Sequence, residues 1–201
     1  MYPPELRDGP IRLSPRYRLL VINWALQLLS VLKFLHSRGI MYYGSLPQWC
    51  FLSSDLSIKL SGFLDANFVD SYGHRGTAFR DDHYDDLTAK VDLADWAQFY
   101  FILMIGRGHN EEFAGDHGLR PSARILPTLS NEIPGAKVVQ KCRDRELQSA
   151  EYAWSSFVAD LQQRGYLVDG DSLKDFDPIA QGLSLEGVQA ARDKPQYLRL
   201  R

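Results

Sequence analysis

The chain has 201 residues with 45% hydrophobic and 24% charged side chains, the make-up of an ordinary globular domain with enough apolar material for a core. A net charge of −2 excludes a global electrostatic pull toward nucleic acid or an anionic membrane. Two cysteines, Cys50 and Cys142, sit in apolar surroundings without ligand-like spacing and read as buried reduced thiols.

Residues 1–16 carry four prolines and no periodicity, and read as an extended lead-in. No secretory signal is visible there. No apolar run approaches the ~18 residues of a membrane span, so neither a membrane nor a nucleic-acid partner is expected, and a cytoplasmic or nuclear location fits. Tyr17 to Ser37 is predicted to be the first helix. Leu20, Val21, Trp24, Leu28, Val31, Leu32 and Leu35 keep helical spacing and define one buried face. Lys33 and His36 fall near its C-terminal end, and Gly39 is the expected left-handed cap.

Cys50–Leu52 and Ser57–Leu60 read as two short strands joined by the turn residues Ser53-Ser54-Asp55, giving one small hairpin. Residues 65–90 show no sustained apolar pattern and are predicted to be a long polar loop. Val91 to Ile105 is apolar on all sides, which predicts a buried central helix ended by Gly106. Residues 107–132 are irregular. Pro134 is placed to begin a helix running to about Arg143. Ser149 is the expected N-cap of a last long helix, with Glu151 in its first turn and Gly165 after its end. Ala153, Trp154, Phe157, Val158 and Leu161 form its buried face. Residues 165–201 read as a mixed tail with one short helix after Ser184.

Three local sequences then converge. They are Leu35-His36-Ser37-Arg38-Gly39-Ile40, Asp55-Leu56-Ser57-Ile58-Lys59-Leu60-Ser61, and Lys90-Val91-Asp92 through Trp96 to Ile105-Gly106-Arg107. In this order and spacing, residues 17–164 resemble the C-terminal lobe of a protein kinase domain. The resemblance implies a mainly α-helical fold with a small β-hairpin. No Gly-rich loop and no Val-Ala-Ile-Lys-like strand precedes Tyr17, so the N-terminal lobe is expected to be absent, as in a natural half-domain or a truncated one.

The resemblance also aligns the chemistry. Active kinases need a catalytic Asp in a His-Arg-Asp triplet, a downstream metal-binding Asn, and the metal-binding Asp of Asp-Phe-Gly. The triplet falls on Tyr42, Tyr43 and Gly44, the loop's lysine position on Leu46, and Pro47 keeps the family's proline. The Asn position is Trp49, and Asp-Phe-Gly becomes Gly62-Phe63-Leu64. Neither a proton acceptor nor a metal ligand remains at these positions. Asp92 matches the Asp of the central helix that binds catalytic-loop amides in the family. Its simpler reading is a first-turn Asp favouring the helix start. The Ala-Pro-Glu end of the activation segment is not evident, though Gly76–Arg80 echoes the stretch before it. Arg143 and Arg145 lie near the position of the arginine that pairs with that Glu.

The resemblance therefore implies an inactive, pseudokinase-like interaction module. It would have no cofactor and would meet a protein partner on the exposed lobe face, where Tyr42, Tyr43 and Trp49 could supply an aromatic surface. The alternative is an atypical kinase that transfers phosphate from ATP to protein Ser/Thr, using Mg2+ held by Asp65 or by the acidic run Asp81–Asp86. That run lacks the glycine and terminal Glu of a calcium loop. His109, Asp116 and His117 lack the spacing of a helical zinc pair.

Overall fold

The computed structural model describes residues 15–43, 46–63, 66–68, 88–105 and 131–188. Helix α1 spans Pro15–His36 and is followed by strand β1, Ile40–Met41, and the helical turn α2, Leu46–Trp49. Strands β2, Cys50–Leu52, and β3, Ile58–Leu60, come next, then β4, Asn67–Phe68. Helices α3, Ala89–Ile105, α4, Ala136–Arg143, and α5, Ala150–Gln163, follow. Strands β5, Val168–Asp169, and β6, Ser172–Leu173, come last, before a helical turn at 185–188. The described chain is mainly helical with small antiparallel pairs.

Where one hairpin was expected, three two-stranded pairs occur among the described residues. The expected hairpin is β2–β3, in register Cys50↔Leu60 and Leu52↔Ile58. The second pairs β1 with β4, Ile40↔Phe68, so the polar stretch after residue 65 begins with a strand. The third, β5–β6, turns through Gly170 at φ 57°, a conformation that glycine adopts freely.

Helix α1 departs from the one-faced reading. Besides the predicted face, Ile22, Ala25, Leu26 and Leu29 are also buried. The reason is that α1 meets α3, α5, β3 and β6 on different sides. Its polar residues turn that crowding to use. Asn23 Oδ1 accepts from Leu173 N at 2.9 Å, and Gln27 Oε1 accepts from Ile58 N at 2.9 Å. Thus α1 caps the backbones of two strands that, among the described residues, have no sheet neighbour on that side. Tyr17–His36 is also long and apolar enough to cross a membrane by length and composition, which corrects the expectation that no segment is. Two-thirds of that window (67%) is buried within the fold, as in the core helix of any globular domain.

Helix α3 packs against α1, α4 and α5. Leu93, Trp96, Ala97, Tyr100, Phe101 and Met104 are buried, while Phe99 and Leu103 are half-buried and pack on the core. The Trp96 indole N–H reaches the Ala25 carbonyl at 3.0 Å, tying α3 to α1. Tyr100 Oη donates to Pro134 O at 2.8 Å. Phe157 of α5 lies edge-on to both rings, with centroids 5.4 Å and 5.6 Å away, a favoured aromatic geometry.

Helix α4 begins at Ala136 and not at Pro134, because Gly135 takes φ 72° and breaks the helical run before it. Its amide donates to Asp160 Oδ2 at 2.7 Å, and Arg164 binds the same oxygen at 2.7 Å. Arg164 also reaches the carbonyls of Asn131 and Glu132. Ser149 caps α5 as expected, its hydroxyl accepting from Tyr152 N at 3.3 Å, with Glu151 in the first turn. Beyond α5, Leu173 and Leu183 are buried in the common core. Cys142 is buried and Cys50 half-buried; both are free, and burial pushes each thiol up to about 12.

Candidate functional site

The sequence points to the junction of α1, β1, α2 and the β2–β3 pair, and the structure gathers most of the named residues there. Helix α1 ends at His36, and Gly39 at φ 68° turns the chain into β1. This delivers Tyr42 and Tyr43 over the first turn of α3. Asp92, buried in that turn, accepts from Tyr42 N through Oδ2 and from Tyr43 N through Oδ1, each at 2.8 Å. His36 Nε2 donates to Asp92 Oδ2 at 2.8 Å. A carboxylate only accepts, so this contact places the imidazole proton on Nε2. One buried carboxylate therefore takes three donors from two segments. Tyr43 sits at φ 54°, a left-handed conformation that costs a bulky residue about 1 kcal/mol or more. The two amide bonds to Asp92 hold the backbone in it.

The Tyr42 side chain is fully buried. Its Oη donates to Ser61 O at 2.6 Å, and its ring meets Phe63 edge-on with centroids 5.5 Å apart. Ser61 in turn donates to Trp49 O through both N and Oγ, each at 2.9 Å. The Trp49 indole lies against Gly62, which has φ 72°. Residues 42, 49, 61, 62 and 63 thus form one knitted cluster standing on Asp92. Leu46, at the lysine position of the resemblance, is buried in the core. Gly44, Leu64 and Asp65 lie outside the described residues, as do the acidic run Asp81–Asp86 and the residues His109, Asp116 and His117.

The chemistry of the cluster is that of a scaffold. Tyr42 Oη, Ser61 Oγ and the Asp92 carboxylate are engaged within it, and Phe63 turns aromatic carbon outward. Phe63 is 47% exposed and Phe51, on the outer side of β2, is 54% exposed. Divalent cations such as Mg2+ take carboxylate or carbonyl oxygens in open geometry. Trp49 offers only an indole, Gly62 offers no side chain, and the room between them is filled by the ring. Mg2+ and a nucleotide phosphate held through it do not fit these residues.

Asp95 lies one turn beyond Asp92 on α3 and is half-buried. Desolvation first, then the charge of Asp92, raise its carboxyl to about 7, with Arg145 opposing the shift. A carboxyl raised in the fold stays protonated where the unfolded chain has already lost its proton. Stability is therefore greatest below pH 4 with respect to this group and is lost as pH rises toward 7. Asp95→Asn is expected to exceed the parent in stability at pH 8 by roughly 2–4 kcal/mol, with the gap closing toward pH 4. Urea denaturation at both pH values checks this; a gap independent of pH would refute it.

Arg143 packs over the Phe101 ring at 4.8 Å, and its Nη1 is buried without a hydrogen-bond partner. Burial lowers its pKa, opposed by Asp144. Sequence reasoning missed His36 as the third donor to Asp92, and Ser61 as the bracket between Tyr42 and Trp49. The spacing of α1 did carry the first signal, since His36 lies one position after the buried Leu35 at the helix end. Comparison of the chain with protein-family models and with curated proteins finds no match.

Proposed function

We propose that this chain is a protein-kinase-like C-terminal lobe that lacks phosphotransfer chemistry and acts as a protein-interaction module. The observation that carries the reading is the Asp92 clasp. Its carboxylate holds the amides of Tyr42 and Tyr43 at 2.8 Å, the two positions that the resemblance aligns with the start of the His-Arg-Asp triplet. That is the contact the resemblance implies for the central-helix Asp. Element order supports the same reading: a long helix, a loop, a tight strand pair, and a buried central helix. So does the ring contact between Tyr42 and Phe63, the aligned His and Phe positions.

The reading of inactivity rests on residue chemistry. Phosphoryl transfer depends on positioning and on metal-borne charge stabilisation. The resemblance aligns Trp49 and Gly62 with the two metal ligands, and neither side chain offers an oxygen, while the indole occupies the space that a Cβ on residue 62 would take. The exposed Phe51 and Phe63 supply the apolar, aromatic character of a binding surface. The atypical-kinase alternative draws on Asp65 or Asp81–Asp86, which lie outside the described residues. Incubation of purified protein with labelled Mg·ATP and general protein substrates tests the reading. No phosphate transfer above a no-protein control is expected. Transfer that a point substitution in this chain abolishes would overturn it.

A further inference from the structure

We infer that Trp49 and Gly62 are a matched pair, in which the indole is a built-in occupant of the corner that a side chain on residue 62 would fill, and closes that corner to a divalent cation. The assignment of the corner to a cation rests on the kinase-like reading; the pairing itself rests on geometry alone.

A Cβ on Gly62 would fall 2.5 Å from Trp49 Cε3 and 2.6 Å from Cγ, and nearer still to Cδ2. All three are ring carbons, so the obstacle is the body of the indole and not a flexible tip. The backbone at residue 62 is left-handed at φ 72°. Among L-residues, Asp and Asn tolerate that conformation best. Backbone strain alone would therefore admit a carboxylate at this position; the ring is what excludes it.

The ring is also held in place. Trp49 O receives both Ser61 donors, Ser61 O receives Tyr42 Oη, and Tyr42 N is bound by Asp92. A path of hydrogen bonds thus runs from the buried carboxylate to the residue that carries the indole. Trp49 is half-buried and packs on the core, so swinging it aside would forfeit apolar contact as well. Indole carbons give a hard cation no ligand. The two losses at Trp49 and Gly62 are in this sense one event: residue 62 cannot regain a side chain until residue 49 gives up its ring.

The test is a double-mutant cycle with two readouts. Thermal unfolding is measured for the parent, Trp49→Ala, Gly62→Asp and the double variant. Gly62→Asp is expected to lower Tm by about 5 °C or more beyond its effect in the Trp49→Ala background. Failure of Gly62→Asp to fold, with a folded double variant, supports the pairing equally. Equal cost in both backgrounds, or failure of both, overturns the pairing. The second readout is loss of the free Mn2+ EPR signal when Mn2+ alone is added to the protein. Trp49→Asn/Gly62→Asp is expected to bind Mn2+ at millimolar concentration, and the parent not to. Coupling in Tm without Mn2+ uptake by that variant leaves the pairing standing and overturns the cation assignment, so the two failures are told apart.

Discussion

Asp92→Ala is expected to destabilise the chain by about 3–5 kcal/mol, the sum of one buried amide, one part-buried amide and one imidazole donor that lose this acceptor. The carboxylate's contacts to the amides of Tyr42 and Tyr43, each at 2.8 Å, lie just beyond the β1–β4 register Met41↔Asn67. Tyr43 would also lose the restraint on its φ of 54°, and the loop would relax away from α3. For a chain of this size the loss corresponds to roughly 10 °C in Tm. Urea denaturation checks the magnitude. The comparison with His36→Ala is the sharper control, because that variant removes only one of the three donors and leaves both amides paired. It should cost clearly less. Equal costs for the two would mean that the clasp contributes nothing beyond the His36–Asp92 contact.

The second large effect is expected at the centre of the helical core. Phe157→Ala should cost about 3–5 kcal/mol, the usual range for truncating a fully buried ring. Phe157 stands edge-on between Trp96 and Tyr100, which are themselves stacked at 6.1 Å with planes 3° apart. It also lies against Gly135, where an added Cβ would collide with the ring. One side chain thus joins α5 to α3 and to the start of α4. Its loss should flatten the near-UV circular dichroism of the two neighbouring aromatics as well as lower the unfolding midpoint. A variant with the parental midpoint would show that the core closes over the cavity and that the three-ring contact adds little.

How much of this was legible beforehand depends on the range of the interaction. Helices α1, α3 and α5 follow from local apolar spacing, and the cap at Ser149 from a single residue type in a single place. The burial of α1 on more than one face was not legible, because Ile22, Leu26 and Leu29 lie off the predicted face and are accounted for only once α1 is known to meet α3, α5, β3 and β6. The β1–β4 pair joins two-residue segments far apart in the chain, and no periodicity can show over two residues. The β5–β6 pair did have a local signal: Gly170-Asp171, the two residues between the paired Asp169 and Ser172, is a dipeptide suited to a tight hairpin turn. The residues of the clasp were indicated by resemblance alone, since Asp92 by itself reads equally well as a first-turn Asp. The Trp49–Gly62 contact lay hidden for a different reason. Each residue reads as a separate loss, and only the register Cys50↔Leu60 brings residue 49 opposite the end of β3 and within reach of Gly62.

On the proposed reading, the loop scaffold of a kinase-like lobe stands intact on Asp92, while the corner that would hold metal and phosphate is filled with carbon. Calorimetric titration of the purified chain with ATP in the presence of Mg2+ tests this most directly. No heat of binding is expected up to millimolar ATP. A saturable, Mg2+-dependent isotherm that Trp49→Ala leaves unchanged would contradict the reading, because nucleotide and metal would then be held by groups other than those that border the filled corner.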